Sequence, residues 1–142
     1  MSAPVLSEQG LRRSSFRERC VARIAVSTAM AMSRLSPSMI KKILVMIVRT
    51  GKRPSTGYVK HYRQLVASVS AFCAGEGCLP RSIAIALVAR MHGYGVTWCT
   101  GVKDRPFIAH AWVEVDGKPI GEVSDLSNFN RLMVVEPKYC YH

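Results

Sequence analysis

The stretch Cys78-Leu-Pro-Arg-Ser-Ile-Ala-Ile-Ala-Leu-Val-Ala89 ends in an unbroken apolar run that starts at Ile83. A surface helix shows one apolar face, whereas a helix that is apolar on every side is buried. Pro80 suits the first turn of a helix, because its missing N–H would have no intrahelical partner there. The stretch therefore predicts a central buried helix that begins near Cys78.

Helices are also predicted before this core helix. Residues 16–35 carry small and apolar side chains among arginines, without Pro or Gly. Ser36 is expected to cap a second helix with Pro37 in its first position, and this helix ends before a loop over 51–57. Residues 58–74 are apolar at steps of three and four, which predicts one amphipathic helix.

The periodicity changes after the core helix. Residues 96–102 and 107–115 are rich in β-branched and aromatic side chains, which favours strands. Asp116-Gly117 is a turn dipeptide, so residues 119–123 can return as an antiparallel partner, and 133–135 can add another strand. The order predicts an α+β fold: N-terminal helices, a central buried helix, then an antiparallel sheet.

The composition excludes several classes of protein. The chain has 142 residues, of which 49% are hydrophobic and 20% charged, so disorder, collagen and coiled coil are disfavoured. The apolar run 39–48 contains Lys41 and Lys42 and is too short to cross a bilayer. The start of the chain does not resemble a secretory signal, and the five cysteines lack a disulfide-framework spacing. We expect a soluble cytoplasmic protein without a membrane contact.

The net charge of +11 is large for this length, and much of the excess lies in residues 12–63. Such an excess attracts nucleic acid, an anionic membrane surface or an acidic protein segment, and it also suits a solvated basic surface. A basic nucleic-acid-binding module is one alternative function, although the sequence contains no recognition motif for it. Charge alone does not decide among these partners.

Cys78 and His110 have the chemistry of a cysteine hydrolase. A thiol at a helix N-terminus faces unpaired amides and the positive end of the helix dipole, which favour the thiolate. His110 lies in Phe107-Ile-Ala-His-Ala-Trp-Val-Glu-Val115, where alternation puts it on one face with Trp112 and Glu114. An imidazole near the thiol can take its proton and later protonate a leaving amine.

A carboxylate is expected to orient the imidazole of His110. Glu114 and Asp116 lie too far along the same strand to reach it, at about 3.3 Å per residue. A three-residue hairpin loop would pair Trp112 with Glu122 and aim Glu122 at His110, whereas a two-residue loop would aim it at the other face. We therefore nominate Glu122, with Asp125 as the reserve.

Three segments together resemble a known family: Cys78-Leu-Pro-Arg-Ser82, Gly101-Val102 and Pro106-Phe-Ile-Ala-His-Ala-Trp-Val-Glu-Val-Asp-Gly117. They are similar to the leader peptidases of lasso-peptide biosynthesis, in the transglutaminase-like, papain-related cysteine protease superfamily. The resemblance covers about residues 58–125. It implies that Cys78 is the nucleophile and His110 the general base, and that Glu122 stands where the family usually has Asp.

The resemblance also implies a function and partners. The substrate would be a ribosomal precursor peptide whose leader is removed before a separate ATP-dependent cyclase closes the macrolactam. Residues 1–142 are expected to form one domain, with a helical part over 1–57 and a catalytic core over 58–125. Because this leaves no room for a fused leader-recognition domain, a separate leader-binding protein is expected.

Several alternatives stay open from the residues themselves. Acyl transfer to an amine uses the same thioester as hydrolysis. Cys73, Cys78, Cys140 and His142 could supply four metal ligands, but their spacing does not match a usual zinc pattern, so we expect neither a metal nor a cofactor. Arg81 could hold a substrate carboxylate, support the thiolate or be solvated.

Overall fold

The computed structural model of this protein describes residues 15–49, 51–122 and 126–139. Its helices precede its strands, with a central helix between the two groups. In chain order the elements are α1 (Phe16–Met32), α2 (Pro37–Val48), α3 (Thr56–Val69), α4 (Ala71–Ala74), α5 (Cys78–Met91), β1 (Thr97–Lys103), β2 (Ile108–Val115), β3 (Lys118–Pro119) and β4 (Asn130–Val135).

Serine side chains begin the N-terminal helices. Ser15 and Glu18 form a reciprocal capping box at the start of α1. Ser36 accepts a hydrogen bond from the Met39 amide at the start of α2, and Pro37 occupies the first helical position as predicted. These caps fix the ends of the helices that pack around α5.

The prediction of one continuous helix over 58–74 is wrong. The structure has α3 up to Val69 and a separate short helix α4 from Ala71. Ser70 lies between them in an extended conformation, and its hydroxyl accepts a hydrogen bond from the Cys73 amide at 3.2 Å. The local side-chain cap outweighs the continuous apolar pattern and starts a new helix that leads into the loop before Cys78.

The central helix α5 is buried as the sequence predicts. Its residues from Ile83 to Ala86, with Val88 and Ala89, are fully or almost fully buried. It packs against the helices α1 and α3 and against the strand β2. Trp98 of β1 donates its indole N–H to the Ser82 hydroxyl at 2.9 Å, so the sheet is also tied to this helix by a buried hydrogen bond.

The strands form an antiparallel sheet in the order β3-β2-β1-β4, which confirms the predicted α+β fold. Gly101 of β1 pairs with His110 of β2. The return strand expected over 119–123 is much shorter, because β3 contains only Lys118–Pro119, and β4 begins at Asn130, earlier than the predicted 133. No described helix is long and apolar enough to cross a membrane.

Candidate active site

Cys78 is the first residue of α5, as the sequence predicts. The residue before it, Gly77, packs tightly enough against Phe72 that a Cβ there would meet the phenyl ring. The backbone N–H of Cys78 donates to the Glu76 carbonyl at 2.9 Å. This compact loop holds the half-buried thiol at the head of the core helix.

The structure brings Cys78 and His110 together. A hydrogen bond from His110 is the main cause that lowers the pKa of the Cys78 thiol, and burial of the thiol opposes it. The Ala111 backbone N–H also hydrogen-bonds the sulfur and lowers its pKa, as do the charges of His110 and Arg81. Charge-assisted hydrogen bonds of this kind stabilise the thiolate, so Cys78 has the character of a nucleophile.

The pKa of His110 changes in the opposite direction to that of Cys78. Its pKa is raised to about 9 by the hydrogen bond to Cys78, then by the hydrogen bond to Glu122, although burial lowers it. The ring nitrogen Nε2 lies 2.5 Å from Oε1 of Glu122. Because Nε2 contacts the carboxylate, Nδ1 is the nitrogen left for the thiol. Near neutral pH the arrangement favours a thiolate beside an imidazolium.

Glu122 reaches His110 although the hairpin has the register that, judged from the sequence, would aim Glu122 at the other face of the sheet. Val115 pairs with Lys118, so the loop contains only the two residues Asp116-Gly117. Continued as a regular strand, this register would aim Glu122 at the wrong face of the sheet. The loop therefore lacks the third residue on which the nomination of Glu122 depended, while the nominated contact of Glu122 is present.

A break in the strand explains the contact. Pairing with β2 ends at Pro119, followed by one more hydrogen bond from the Ile120 amide to the Val113 carbonyl at 3.0 Å. Gly121 then takes a left-handed conformation with φ of 71°, which ends the strand alternation. Glu122 thus comes to His110 from a turn. The reserve candidate Asp125 lies outside the described residues.

The other two carboxylates near this strand have different partners. Glu114 is buried and accepts hydrogen bonds from the Trp112 indole at 2.8 Å and from Arg131 at 2.7 Å. Asp116 is paired with Arg53 at 3.4 Å. These contacts agree with the expectation that neither carboxylate orients His110.

Two aromatic rings lie next to the imidazole of His110. The Trp112 ring is stacked on the imidazole with centroids 5.9 Å apart, and Glu114 fixes the indole through its N–H. Phe129 contacts both rings, at 6.2 Å from His110 and 6.1 Å from Trp112. Phe129 could not be predicted as a site residue, because a single aromatic residue in a polar loop shows no periodic signal.

Arg81 has a structural role that the sequence left open. Its side chain is buried and donates to the Cys73 carbonyl at 3.0 Å and the Gly75 carbonyl at 3.2 Å. It therefore stabilises the loop that leads to Cys78. Its charge also contributes to the lowered pKa of the Cys78 thiol. Of the roles that the sequence left open, Arg81 therefore supports the thiolate and is not a solvated arginine.

The other described cysteines differ from Cys78. Cys73 and Cys99 are buried, and burial raises the pKa of Cys99 to about 12. Cys20 is half-buried in α1. Among the described residues, no cluster of three or more His, Cys, Asp or Glu is arranged to hold a metal ion. Cys140 and His142, which the zinc alternative requires, lie outside those residues.

An apolar cavity of about 220 Å³ opens beside the reactive pair. Cys78 and His110 contribute to its wall, together with Ile40 of α2, Trp98 of β1 and Leu132 of β4. The cavity therefore lies between the helical part and the sheet. It gives the site a place for an apolar group next to the thiol.

Comparison with known proteins gives one match. The family model described as "Transglutaminase-like superfamily" matches residues 22–134, well over half of the chain, including Cys78, His110 and Glu122. Neither the curated proteins nor the solved structures gave a match.

Proposed function

Because this chain belongs to the transglutaminase-like superfamily, whose members are typically cysteine proteases and acyltransferases, we propose that it is a cysteine peptidase. Cys78 is the nucleophile, His110 the general base and acid, and Glu122 the residue that orients the imidazole. The observation that carries the proposal is the hydrogen-bonded series Cys78, His110, Glu122 at the head of the buried helix.

The first half of the reaction forms a thioester. The thiolate of Cys78 attacks the carbonyl carbon of the scissile amide, and the carbonyl electrons move onto its oxygen. As the tetrahedral intermediate collapses, the C–N bond breaks and the His110 imidazolium gives its proton to the leaving nitrogen. The amine product leaves, and the acyl group stays on Cys78.

The second half releases the acyl group. Neutral His110 takes a proton from a water molecule, whose oxygen attacks the thioester carbon. The C–S bond then breaks, which yields a carboxylic acid product and regenerates the thiolate beside the imidazolium. Throughout, the 2.5 Å contact with Glu122 holds the ring and stabilises its charged form.

The proposed substrate is a ribosomal precursor peptide of the lasso-peptide class, cleaved between its leader and its core. This proposal is supported by the resemblance of the blocks around Cys78 and His110 to the leader peptidases of that pathway. The amine released in the first half of the reaction is then the new N-terminus of the core. A separate ATP-dependent cyclase would join it to a side-chain carboxylate.

A separate protein that binds the leader is part of the same proposal. Holding the leader near Cys78 replaces a bimolecular encounter with a high effective local concentration. Basic residues on the exposed side of α1, Arg17, Arg19 and Arg23, offer a charged surface for such a partner or for an acidic leader.

Transfer of the acyl group to an amine is the second candidate, because the superfamily contains acyltransferases as well as proteases. Both reactions pass through the thioester on Cys78. They differ in the group that attacks it: water gives a free acid, and an amine gives a new amide.

The test is incubation of the precursor peptide with the protein in heavy-oxygen water, with and without added amine donors, followed by mass spectrometry. Hydrolysis predicts a leader that carries one heavy oxygen at its new C-terminus. A leader–amine adduct would instead assign acyl transfer. If the precursor stays intact with the leader-binding protein and without it, the proposed substrate is wrong.

A further inference from the structure

Three cationic side chains from three different elements line one cavity beside the reactive pair. Arg63 comes from α3, Arg81 from α5 and Lys103 from the end of β1. The cavity has a volume of about 440 Å³, and His110 and Glu122 form part of its wall. It is therefore separate from the apolar cavity but shares the imidazole with it.

Among the described residues that line this cavity, positive charges outnumber negative ones. Among the described residues that line it, Glu122 is the only carboxylate, and it is already engaged with His110. Arg81 donates to two backbone carbonyls, and these contacts with neutral groups satisfy its hydrogen bonds without pairing it with a carboxylate. Like charges held close together in a partly buried site repel each other.

Arg63 makes the imbalance clearest. Its Nε atom is buried and has no hydrogen-bond partner within residues 15–49, 51–122 and 126–139. Burial lowers the pKa of Arg63, and the nearby charge of Arg81 lowers it further, while Glu122 raises it. A buried donor without a partner in a native structure calls for an explanation such as a bound ligand or ion.

We infer that this cavity binds a carboxylate of the peptide substrate, within about two residues of the scissile bond. The inference rests on the proposed function and names a feature of its substrate. The position follows from His110, because its imidazole must come within hydrogen-bond reach of the scissile nitrogen. The cavity lies along the same ring, and each extended residue spans about 3.3 Å.

The chemistry of the lining favours a carboxylate over a neutral polar group. A guanidinium presents a planar fork of donors that matches the two oxygens of a carboxylate. Lys103, the last residue of β1, adds a compact charge on a flexible stem. The carboxylate can come from an acidic side chain or from the C-terminus of a short peptide, and we commit to the side chain.

The first test measures binding without catalysis. Three small probes are titrated into the Cys78→Ala protein: N-acetyl-glutamate amide, N-acetyl-glutamine amide and N-acetyl-alanine with a free C-terminus. The chemical shift of the Arg63 side-chain N–H is the readout. We expect saturable binding of the glutamate probe, about tenfold or more tighter than that of the glutamine probe.

Variants assign this binding to the cavity. Lys103→Met is expected to weaken binding of the glutamate probe. Lys118→Met removes the same charge from the exposed strand β3, and as the matched control it should leave this binding unchanged. Equal binding of the glutamate and glutamine probes, or a preference that Lys103→Met leaves unchanged, would overturn the inference. If only the alanine probe binds tightly, the cavity binds a C-terminal carboxylate, and our choice of an acidic side chain is wrong.

The second test uses cleavage. A peptide library is digested by the wild-type protein, Lys103→Met and Lys118→Met, and the residues around each cleaved bond are identified by mass spectrometry. We expect Asp and Glu to be enriched over Asn and Gln near the bond, with the enrichment lost in Lys103→Met only. Cleavage without this preference refutes the anion cavity and leaves the peptidase standing. If neither the library nor the precursor with its leader-binding protein is cleaved, peptidase function fails, while the binding test still decides the cavity.

Discussion

Oε1 of Glu122 lies 2.5 Å from Nε2 of His110, although the pairing between their two chain segments ends before Glu122 is reached. The contact depends on Gly121, which turns the chain after Ile120. A position in a turn allows the carboxylate to approach the ring edge in a direction that a regular strand would not permit. The reactive geometry therefore depends on backbone conformation as well as on side-chain identity.

Cys78 should react with iodoacetamide near neutral pH faster than an ordinary thiol, because its pKa is lowered chiefly by His110. His110→Ala should slow this alkylation by about tenfold or more, since the thiolate loses its partner. Mass spectrometry of the labelled peptides measures both rates. Labelling of Cys20, which lies in α1, is the internal control and should not change. An unchanged rate at Cys78 would show that His110 does not activate it.

Cleavage of the precursor should fall by several powers of ten in Cys78→Ala and in His110→Ala, because nucleophile and base act as a unit. Both variants should keep the wild-type circular dichroism spectrum. Cys20→Ala is the matched control and should cleave normally. Wild-type cleavage by either of the first two variants would contradict the assigned roles.

The pH dependence of kcat/KM should fall on the alkaline side near pH 9, because the pKa of His110 is raised to about 9. Below that pH the imidazolium is present and can protonate the leaving amine; above it the proton is lost. On the acid side, activity should persist below the pKa of an ordinary thiol, since that of Cys78 is lowered. A rate that keeps rising well beyond pH 9 would contradict a catalytic imidazolium.

Glu122→Gln should reduce the rate less than Cys78→Ala does, because an amide oxygen can still orient the ring but cannot stabilise its charge. The alkaline limb should also move to lower pH, since the hydrogen bond and charge of Glu122 raise the pKa of His110. Asp116→Asn, which changes an exposed carboxylate paired with Arg53, is the control. If Glu122→Gln is fully active and Asp125→Asn loses activity, Glu122 is not the carboxylate that orients His110.

Gly121→Ala should lower both stability and activity, and Gly117→Ala separates the two effects. Each glycine has positive φ, 71° and 79°, so each substitution is expected to cost about 1–2 kcal/mol of unfolding free energy. A Cβ at position 117 meets open space, whereas one at position 121 meets the Arg63 side chain. Denaturant unfolding and kcat should show an extra loss of stability and a loss of activity in Gly121→Ala alone. Equal activity of the two variants would show that the turn at Gly121 does not position Glu122.

Sequence patterns determined the elements whose burial leaves a local signal. The apolar run after Ser82 predicted a core helix because no other element hides every side, and Pro80 indicated that Cys78 lies in its first turn. Serine followed by proline marked the start of α2, and the alternation around His110 marked a strand. These patterns need only short-range geometry, so they could be read without the fold.

Tertiary structure alone decided the relations between distant segments. The break at Ser70, the two-residue hairpin and the turn at Gly121 each depend on a balance between local hydrogen bonds and packing, and a periodic pattern does not record that balance. The cationic cavity has the same origin: Arg63, Arg81 and Lys103 are far apart in sequence and meet because α3, α5 and β1 converge beside His110. From the sequence, Arg81 could be considered for a substrate carboxylate because it lies one turn from Cys78. Arg63 and Lys103 were only part of the net charge, because charge counts contain no distances.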